Sequence, residues 1–222
     1  MKHQPAENKH PKQDFQVERI AFFSDAVFAI AITLLVIEFR APEVTKDTTE
    51  TDLWHEVLAM KYKLISVLLS FSLIVNYWIR HHTLFKHIHN YNRRIILANM
   101  YTLIPIIFFP FTTSFMYESL GVNNKAASIP FRLFLTNNVL AGVMMYYFYW
   151  LIMKKYSELS YPMEIEDRKE FEGKLITLTL SFVLVLAISF YSTEYSIWGL
   201  LPMGVYNIYN RFTRKKKIQK HA

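Results

Sequence analysis

The sequence has no cysteine among its 222 residues and only 5 glycines. The absence of cysteine excludes disulfides, thiol nucleophiles and cysteine-ligated metal sites. No Gly-rich phosphate loop, G-x-S-x-G nucleophile motif or H-E-x-x-H zinc motif occurs, so no enzyme class is indicated. Residues 1–18 are polar and charged and lack an apolar stretch, so they do not have the pattern of a secretory signal peptide. We therefore expect neither catalysis nor a bound cofactor.

Long apolar runs fill most of the chain, which is 52% hydrophobic and 16% aromatic with a mean hydropathy of +0.14. This composition is too apolar for an ordinary soluble domain. A bilayer-spanning helix needs roughly 20 mostly apolar residues. The sequence predicts an all-α membrane bundle of six transmembrane helices within residues 15–212, between a polar tail (1–14) and a basic tail (213–222). The apolar segments lie near residues 19–39, 58–80, 95–117, 131–153, 174–191 and 197–212.

The distribution of basic residues predicts the topology. With six spans, 19 of the 25 lysines and arginines fall on the side that carries both termini. The positive-inside rule then places both termini in the cytosol of a multi-pass protein of the cell membrane. The third segment contains Pro105 and Pro110, which should kink it. An alternative topology therefore treats this segment as re-entrant.

The first segment carries unusual polar residues for a membrane helix. Arg19 lies at its start, Ser24 and Asp25 lie one to two turns in, and Thr33 is near the middle. A carboxylate at the centre of a membrane helix costs about 2.5–3.5 kcal/mol on insertion scales, so Asp25 needs a partner or water. An ionisable residue inside a membrane is a candidate functional residue.

The apolar residues of this segment form a narrow stripe. Ile30, Leu34 and Ile37 have the i, i+4, i+7 spacing of one helix face. Phe23 continues the stripe toward the N-terminus, whereas Asp25 points nearly the opposite way. The ordinary interpretation of an isolated apolar stripe on a membrane helix is that it faces lipid or a neighbouring helix.

A second polar group lies at the end of the second segment, where Asn76, Trp78, His81 and His82 occur together. The predicted topology brings these residues to the depth of Ser24 and Asp25. We expect a hydrogen-bonded interhelix cluster that satisfies Asp25, with Arg19 at its edge. The alternative is that these side chains lie in the interfacial belt, where such residues are common. The histidine spacings do not match helical zinc ligands, so we expect no metal.

The motif Arg19-x-x-x-Phe23-Ser24-Asp25, followed by A-V-F-A-I-A-I-T-L-L-V-I-E, resembles the first helix of the transmembrane protein 175 family of potassium channels. The resemblance implies a prokaryotic, single-repeat channel of six spans whose first helix lines the pore. It also implies a homotetramer, with potassium ions and further copies of the chain as partners. The chain also contacts membrane lipids, and the distribution of its basic residues favours membrane topology over nucleic-acid binding.

The selectivity-filter run T-V-G-Y-G is absent, so any ion barrier must come from side chains. Rings of Ile30, Leu34 and Ile37 around a symmetry axis would form a hydrophobic constriction that gates by dewetting. Thr33 offers a hydroxyl at the same level for selectivity. The alternative is a non-conducting or proton-transferring membrane protein that uses Asp25, His81 and His82.

Overall fold

The computed structural model describes residues 11–37, 41–119 and 128–221. These residues form seven α-helices: α1 (Pro11–Ile37), α2 (Glu50–Ala59), α3 (Lys61–Phe85), α4 (Arg93–Glu118), α5 (Ser128–Trp150), α6 (Ile165–Ser189) and α7 (Leu201–His221). A π-helical turn, Leu151–Lys155, extends α5, and short 3-10 turns at Ser157–Leu159 and Tyr195–Leu200 precede α6 and α7. Six of these helices are long and only α2 is short, so the predicted all-α fold class is confirmed.

Several helix boundaries differ from the apolar segments. Helix α3 continues to Phe85, and α7 begins at Leu201 and continues to His221, so most of the predicted basic tail is helical. No proline or glycine interrupts either extension, and a helix can therefore continue beyond the apolar run that predicts it. Helix α1 begins at Pro11; residues 1–10 of the predicted N-terminal tail, and Phe39 at the predicted end of the first segment, lie outside the described residues.

Short polar motifs fix the starts of two helices. The Thr49 hydroxyl accepts a hydrogen bond from the Asp52 amide, and the Asp52 carboxylate accepts one from the Thr49 amide, which together form a capping box at α2. At the start of α4, the Asn92 side chain accepts a hydrogen bond from the Ile95 amide at 3.0 Å. These caps define the N-termini of helices that emerge from polar connections.

Four helical stretches of the described residues are long and apolar enough to cross a membrane: Gln16–Ile37, Glu50–Phe85, Arg93–Glu118 and Ile165–Ser189. The other long helices, α5 and α7, are not among these four stretches. Helix α5 carries Asn137 and Asn138, which are only 7% and 0% exposed and therefore face the bundle interior. Helix α7 ends in the basic run R-K-K-K-I-Q-K-H. The chain is therefore a multi-pass membrane protein.

Helix α4 lies at the centre of the first part of the bundle, where it packs against α1, α3 and α5. In its most apolar window 56% of the residues are buried, compared with 22% in α1. The helix is continuous through Pro105 and Pro110, and the Asn137 amide donates to the Pro105 carbonyl at 3.0 Å. Its 26 residues span about 39 Å, which exceeds the roughly 30 Å of a bilayer core. The re-entrant alternative for the third segment is therefore wrong.

The second part of the bundle is built around α6, which packs against α5, α7 and the Tyr195–Leu200 turn. Glycines permit the closest of these approaches. A Cβ atom at Gly142 in α5 would collide with the Thr179 side chain of α6, and one at Gly199 would collide with the backbone of Val185. The elements meet closely there because glycine has no side chain.

The α3–α4 and α5–α6 connections pair with each other at one end of the bundle. Ile88 and Ser160 form an isolated antiparallel bridge, and the Tyr161 amide donates to the His87 carbonyl at 2.6 Å. The amides of His89 and Asn90 both donate to the Leu159 carbonyl at 3.2 Å. These two connections therefore lie on the same side of the bundle, as the alternating topology requires.

Candidate functional site: the two faces of helix α1

Helix α1 has a packed face and an exposed face, and both are apolar. The packed face contacts α3 and α4 and consists of residues that are at most 9% exposed, namely Val17, Ser24, Phe28, Ala31 and Leu35. The stripe predicted from the sequence lies on the other side: Ile30 is 58% exposed, Leu34 38% and Ile37 70%. The stripe is therefore free to contact a surface that this chain does not provide.

Thr33 is exposed on the same side of α1 as the stripe. Its hydroxyl donates to the Ile30 carbonyl at 2.8 Å, so the hydroxyl proton is directed back to the helix. The lone pairs of the oxygen can then face outward. Phe23 is exposed as well, and together with Arg19 it lines a shallow groove beside Tyr91 and Met100.

Asp25 is bound by the indole of Trp78, whose Nε1 donates to its Oδ1 at 2.9 Å. The ring of His82 stacks on the Trp78 indole, with centroids 5.6 Å apart, and does not bond the carboxylate. This arrangement ties α1 to α3 at the rim of the bundle. It satisfies one oxygen of the intramembrane carboxylate with a single donor from a neighbouring helix.

A separate polar cluster lies one residue away in the interior and joins α1, α3 and α4. The Asn99 amide nitrogen donates to the Ser24 hydroxyl at 2.9 Å, and the Asn99 Oδ1 lies 2.7 Å from His81 Nε2. Ser24 and Asn99 are 0% exposed, and His81 is 1% exposed. Because a carbonyl oxygen only accepts hydrogen bonds, Nε2 of His81 is the donor and carries a proton.

Aromatic rings enclose this interior cluster. The imidazole of His81 lies 5.4 Å from Phe28, 4.7 Å from Phe85 and 5.7 Å from Phe148, measured between ring centroids. The polar groups are thus isolated from water by rings from α1, α3 and α5. A hydrogen bond in such a low-dielectric environment is strong, and an unpaired group there is costly.

The structure divides the single cluster expected from the sequence into two. Ser24 and His81 lie inside, Asp25, Trp78 and His82 lie at the rim, and Asn76 belongs to neither group. The Asn76 side chain accepts instead from Arg80 Nε at 2.8 Å. Residues two positions apart on a helix differ by about 200° in direction, so Asn76 and Trp78 face opposite sides of α3.

Asn99 is the member that the sequence analysis missed. A lone asparagine in the apolar run I-I-L-A-N-M-Y is the only signal that the sequence offers, and it does not identify the partners. Within the described part of the chain, no three His, Asp or Glu side chains come together in a way that could hold a metal ion.

Replacement of Trp78 by Phe should weaken the contact between α1 and α3. The substitution removes the indole N–H and leaves Asp25 without this donor, so we expect a loss of about 1 kcal/mol and a lower melting temperature in detergent. Trp54→Phe is the matched control because Trp54 is 59% exposed on α2. Equal melting temperatures for the two variants would contradict a stabilising role for the Asp25–Trp78 bond.

Residues 19–110 match the family model described as the endosomal/lysosomal potassium channel TMEM175. This segment is similar to the TMEM175 family. The matched segment contains the exposed stripe of α1 and every member of both polar clusters, and it confirms the resemblance predicted from the Arg19–Asp25 motif.

Curated relatives match about half of the chain. A potassium channel of Streptomyces collinus is 32% identical over 102 residues, which are 46% of this chain and 48% of the relative. One from Chamaesiphon minutus is 34% identical over 110 residues, covering 50% and 53%. The endosomal/lysosomal proton channel TMEM175 of Danio rerio is 29% identical over 115 residues, covering 50% and 22%. The chain spans about half the length of the bacterial relatives.

The TMEM175 fold extends over most of the chain. The crystal structure of a lysosomal potassium-selective channel TMEM175 homolog from Chamaesiphon minutus superposes with a TM-score of 0.68 at 23% identity, covering 86% of this chain and 95% of that one. A variant of the potassium channel MtTMEM175, crystallised with a nanobody fusion protein, superposes with a TM-score of 0.61 at 21% identity, covering 97% and 100%. At these identities the comparison establishes the fold.

Proposed function

We propose that copies of this chain assemble in the cell membrane into a potassium-preferring channel, with α1 around the pore and both termini in the cytosol. The observation that carries the proposal is the exposure of Ile30, Leu34 and Ile37 on a helix whose opposite face is packed. The similarity to the potassium channels of Streptomyces collinus and Chamaesiphon minutus supports this role for the exposed face.

One α1 helix cannot enclose a pore, so the proposal requires several copies around a symmetry axis. We propose a homotetramer. The low burial of α1 supports an assembly in which this helix gains contacts, because only 22% of its apolar window is buried within one subunit. The exposed half would meet the pore and the neighbouring copies.

Ion passage would then depend on side chains. Rings of branched apolar residues at Ile30, Leu34 and Ile37 would exclude water from a narrow passage and form a hydrophobic gate. The Thr33 oxygen, whose proton is donated to the Ile30 carbonyl, would present lone pairs to a passing cation. We expect a moderate preference for potassium over sodium, because a single hydroxyl per subunit offers less coordination than a carbonyl filter.

Flux through liposomes tests this function. Purified full-length protein is reconstituted into potassium-loaded vesicles, with empty vesicles as the control and valinomycin added last to measure the total releasable potassium. We expect protein-dependent potassium release that exceeds sodium release under a matched gradient. Absence of release from correctly assembled oligomers would overturn the proposal.

A pH-sensitive dye in the same vesicles tests the alternative of proton transfer. The hydrogen-bonded chain from Ser24 through Asn99 to His81 is the observation that favours this alternative. Asp25 does not join that chain, because its described partner is Trp78. Proton flux without potassium flux, abolished by His81→Phe, would support the alternative over the channel.

A further inference from the structure

A cavity of about 390 Å³ lies between α3 and α6, at the end of the bundle where the two connections pair. Its volume falls within the range of roughly 300–1,000 Å³ that is usual for small-molecule sites. Successive turns of the two helices line it, with Asn76, Ile79 and Arg80 from α3 and Asp167, Phe171 and Lys174 from α6. The cavity lies on the side of α3 opposite to the Asp25–Trp78 contact, so neither polar cluster of α1 accounts for it.

The polar wall of the cavity carries charges of both signs. The Asn76 side chain holds Arg80 through Nε, and both residues line the cavity. Lys174 forms an i,i+4 ion pair with Glu170, which also lines the cavity. Asp167 supplies a further carboxylate, and two cationic side chains are thus balanced by two carboxylates.

His87 also lines the polar wall and leaves its net charge unchanged. Burial lowers the pKa of His87, although the charge of Asp167 acts in the opposite direction and that of Lys86 adds to the lowering. The imidazole is therefore mainly neutral at pH 7.

The remaining wall is apolar and open to the outside of the bundle. Ile79 is 53% exposed on the surface of α3, and Phe171 and Met163 contribute apolar surface from the other side. A ligand that fits this site has a compact polar group that carries one positive and one negative charge. This group is attached to an apolar tail, which extends out of the cavity along the surface of α3.

We propose that this cavity binds a phosphatidylethanolamine-class lipid of the cytosolic leaflet, with its phosphate at Arg80 and its primary ammonium at Asp167. A guanidinium is well suited to a phosphate because its planar N–H groups can bind two oxygens. A primary ammonium offers three hydrogen-bond donors to carboxylates, whereas a choline group offers none. The balanced charge of the wall favours a zwitterion over a lipid with net negative charge.

Lipid retention by the intact protein tests the site. The purified full-length chain is delipidated and mixed with phosphatidylethanolamine, phosphatidylcholine or phosphatidylglycerol of identical acyl chains, and native mass spectrometry measures the bound fraction. We expect phosphatidylethanolamine to bind about tenfold more tightly than either of the others, which corresponds to about 1.4 kcal/mol. Equal retention of the three lipids would overturn the proposal.

Two substitutions assign the two ends of the headgroup. Arg80→Gln should lower the affinity for phosphatidylethanolamine about tenfold, and Arg80→Lys should restore part of it because the charge is retained. Asp167→Asn should abolish the preference over phosphatidylcholine and strengthen phosphatidylglycerol binding, because the wall then carries a net positive charge. Asp167 is exposed and lies outside the core, so this variant should fold even if Arg80→Gln does not.

Matched controls for these two substitutions lie on α6 and at the residue that precedes it. Lys169→Gln and Glu164→Gln make the same charge changes at exposed positions that do not line the cavity. Loss of lipid in a control variant equal to that in Arg80→Gln would show a non-specific charge effect and overturn the assignment. Saturation of the site by free phosphoethanolamine, with no lipid retained, would assign it to a soluble phosphate ester and likewise overturn the lipid proposal.

Discussion

Ile30→Asn is expected to raise potassium flux at least about tenfold, which corresponds to a reduction of about 1.4 kcal/mol in the barrier. A hydrophobic constriction excludes water only while its perimeter is apolar, and one amide in each copy supplies hydrogen-bonding groups that keep it wet. Ile30 is the position of choice because it is 58% exposed, so its replacement removes little packing within the subunit. The measurement is the rate of potassium release from liposomes at equal protein density. Leu34→Asn should act in the same direction, with a greater loss of stability because Leu34 is only 38% exposed.

Val36→Asn is the matched control for this prediction. Val36 is 65% exposed on the same helix, and its direction differs from that of Ile30 by about 120°. The control tests whether any new amide on α1 increases leakage. If Val36→Asn increased flux while Ile30→Asn did not, a different face of α1 would meet the axis and the assignment of the gate would fail.

Asn99→Leu is expected to destabilise the folded protein by about 2–3 kcal/mol, because it leaves the buried Nε2–H of His81 without its acceptor. The hydroxyl of Ser24 retains the Ile20 carbonyl as an acceptor at 3.0 Å, so most of the loss should arise at His81. A change of this size lowers the melting temperature by roughly 5–10 °C in a chain of this length. Thermal unfolding in detergent, followed by size-exclusion chromatography, measures it.

A double substitution separates the lost hydrogen bond from altered packing. His81→Phe in the Asn99→Leu background removes the unpaired group and places an apolar ring among Phe28, Phe85 and Phe148. We expect the double variant to be more stable than Asn99→Leu alone. Replacing both hydrogen-bonding partners by apolar groups costs less stability than leaving one of them buried and unpaired. Asn207→Leu is the control, because Asn207 is an exposed asparagine on α7. A double variant that is no more stable than Asn99→Leu alone would contradict this account.

The helices follow from the sequence because apolar length and charge distribution are properties of each segment alone. The roles of individual side chains depend on neighbours, and this is where the sequence was less informative. The packed face of α1 contains Phe28 and Leu35 and the exposed face contains Ile30 and Ile37, so residue type alone does not distinguish them. Apolar side chains of this kind can face lipid, another helix or a dewetted pore, so their type does not show which of these they contact.

The partners of the polar residues likewise could not be predicted from the sequence. The motif indicated that Ser24 and Asp25 needed partners, and the predicted depth brought His81 and Trp78 to the correct level. The sequence did not reveal that two adjacent residues of α1 serve different partners, one in the interior and one at the rim. That separation follows from the 100° rotation between consecutive helical residues, together with the position of Asn99 on a third helix.

The pairing of Ile88 with Ser160 also determines how the bundle adapts to bilayer thickness. It brings the end of α3, the start of α4 and the connection between α5 and α6 to a common level. Individual helices in this group cannot slide past one another without breaking the bonds at His87 and Leu159. A thinner or thicker membrane is therefore accommodated by tilting the bundle as a unit or by deforming the lipid, since tilt and local bilayer adjustment are the remaining responses to hydrophobic mismatch.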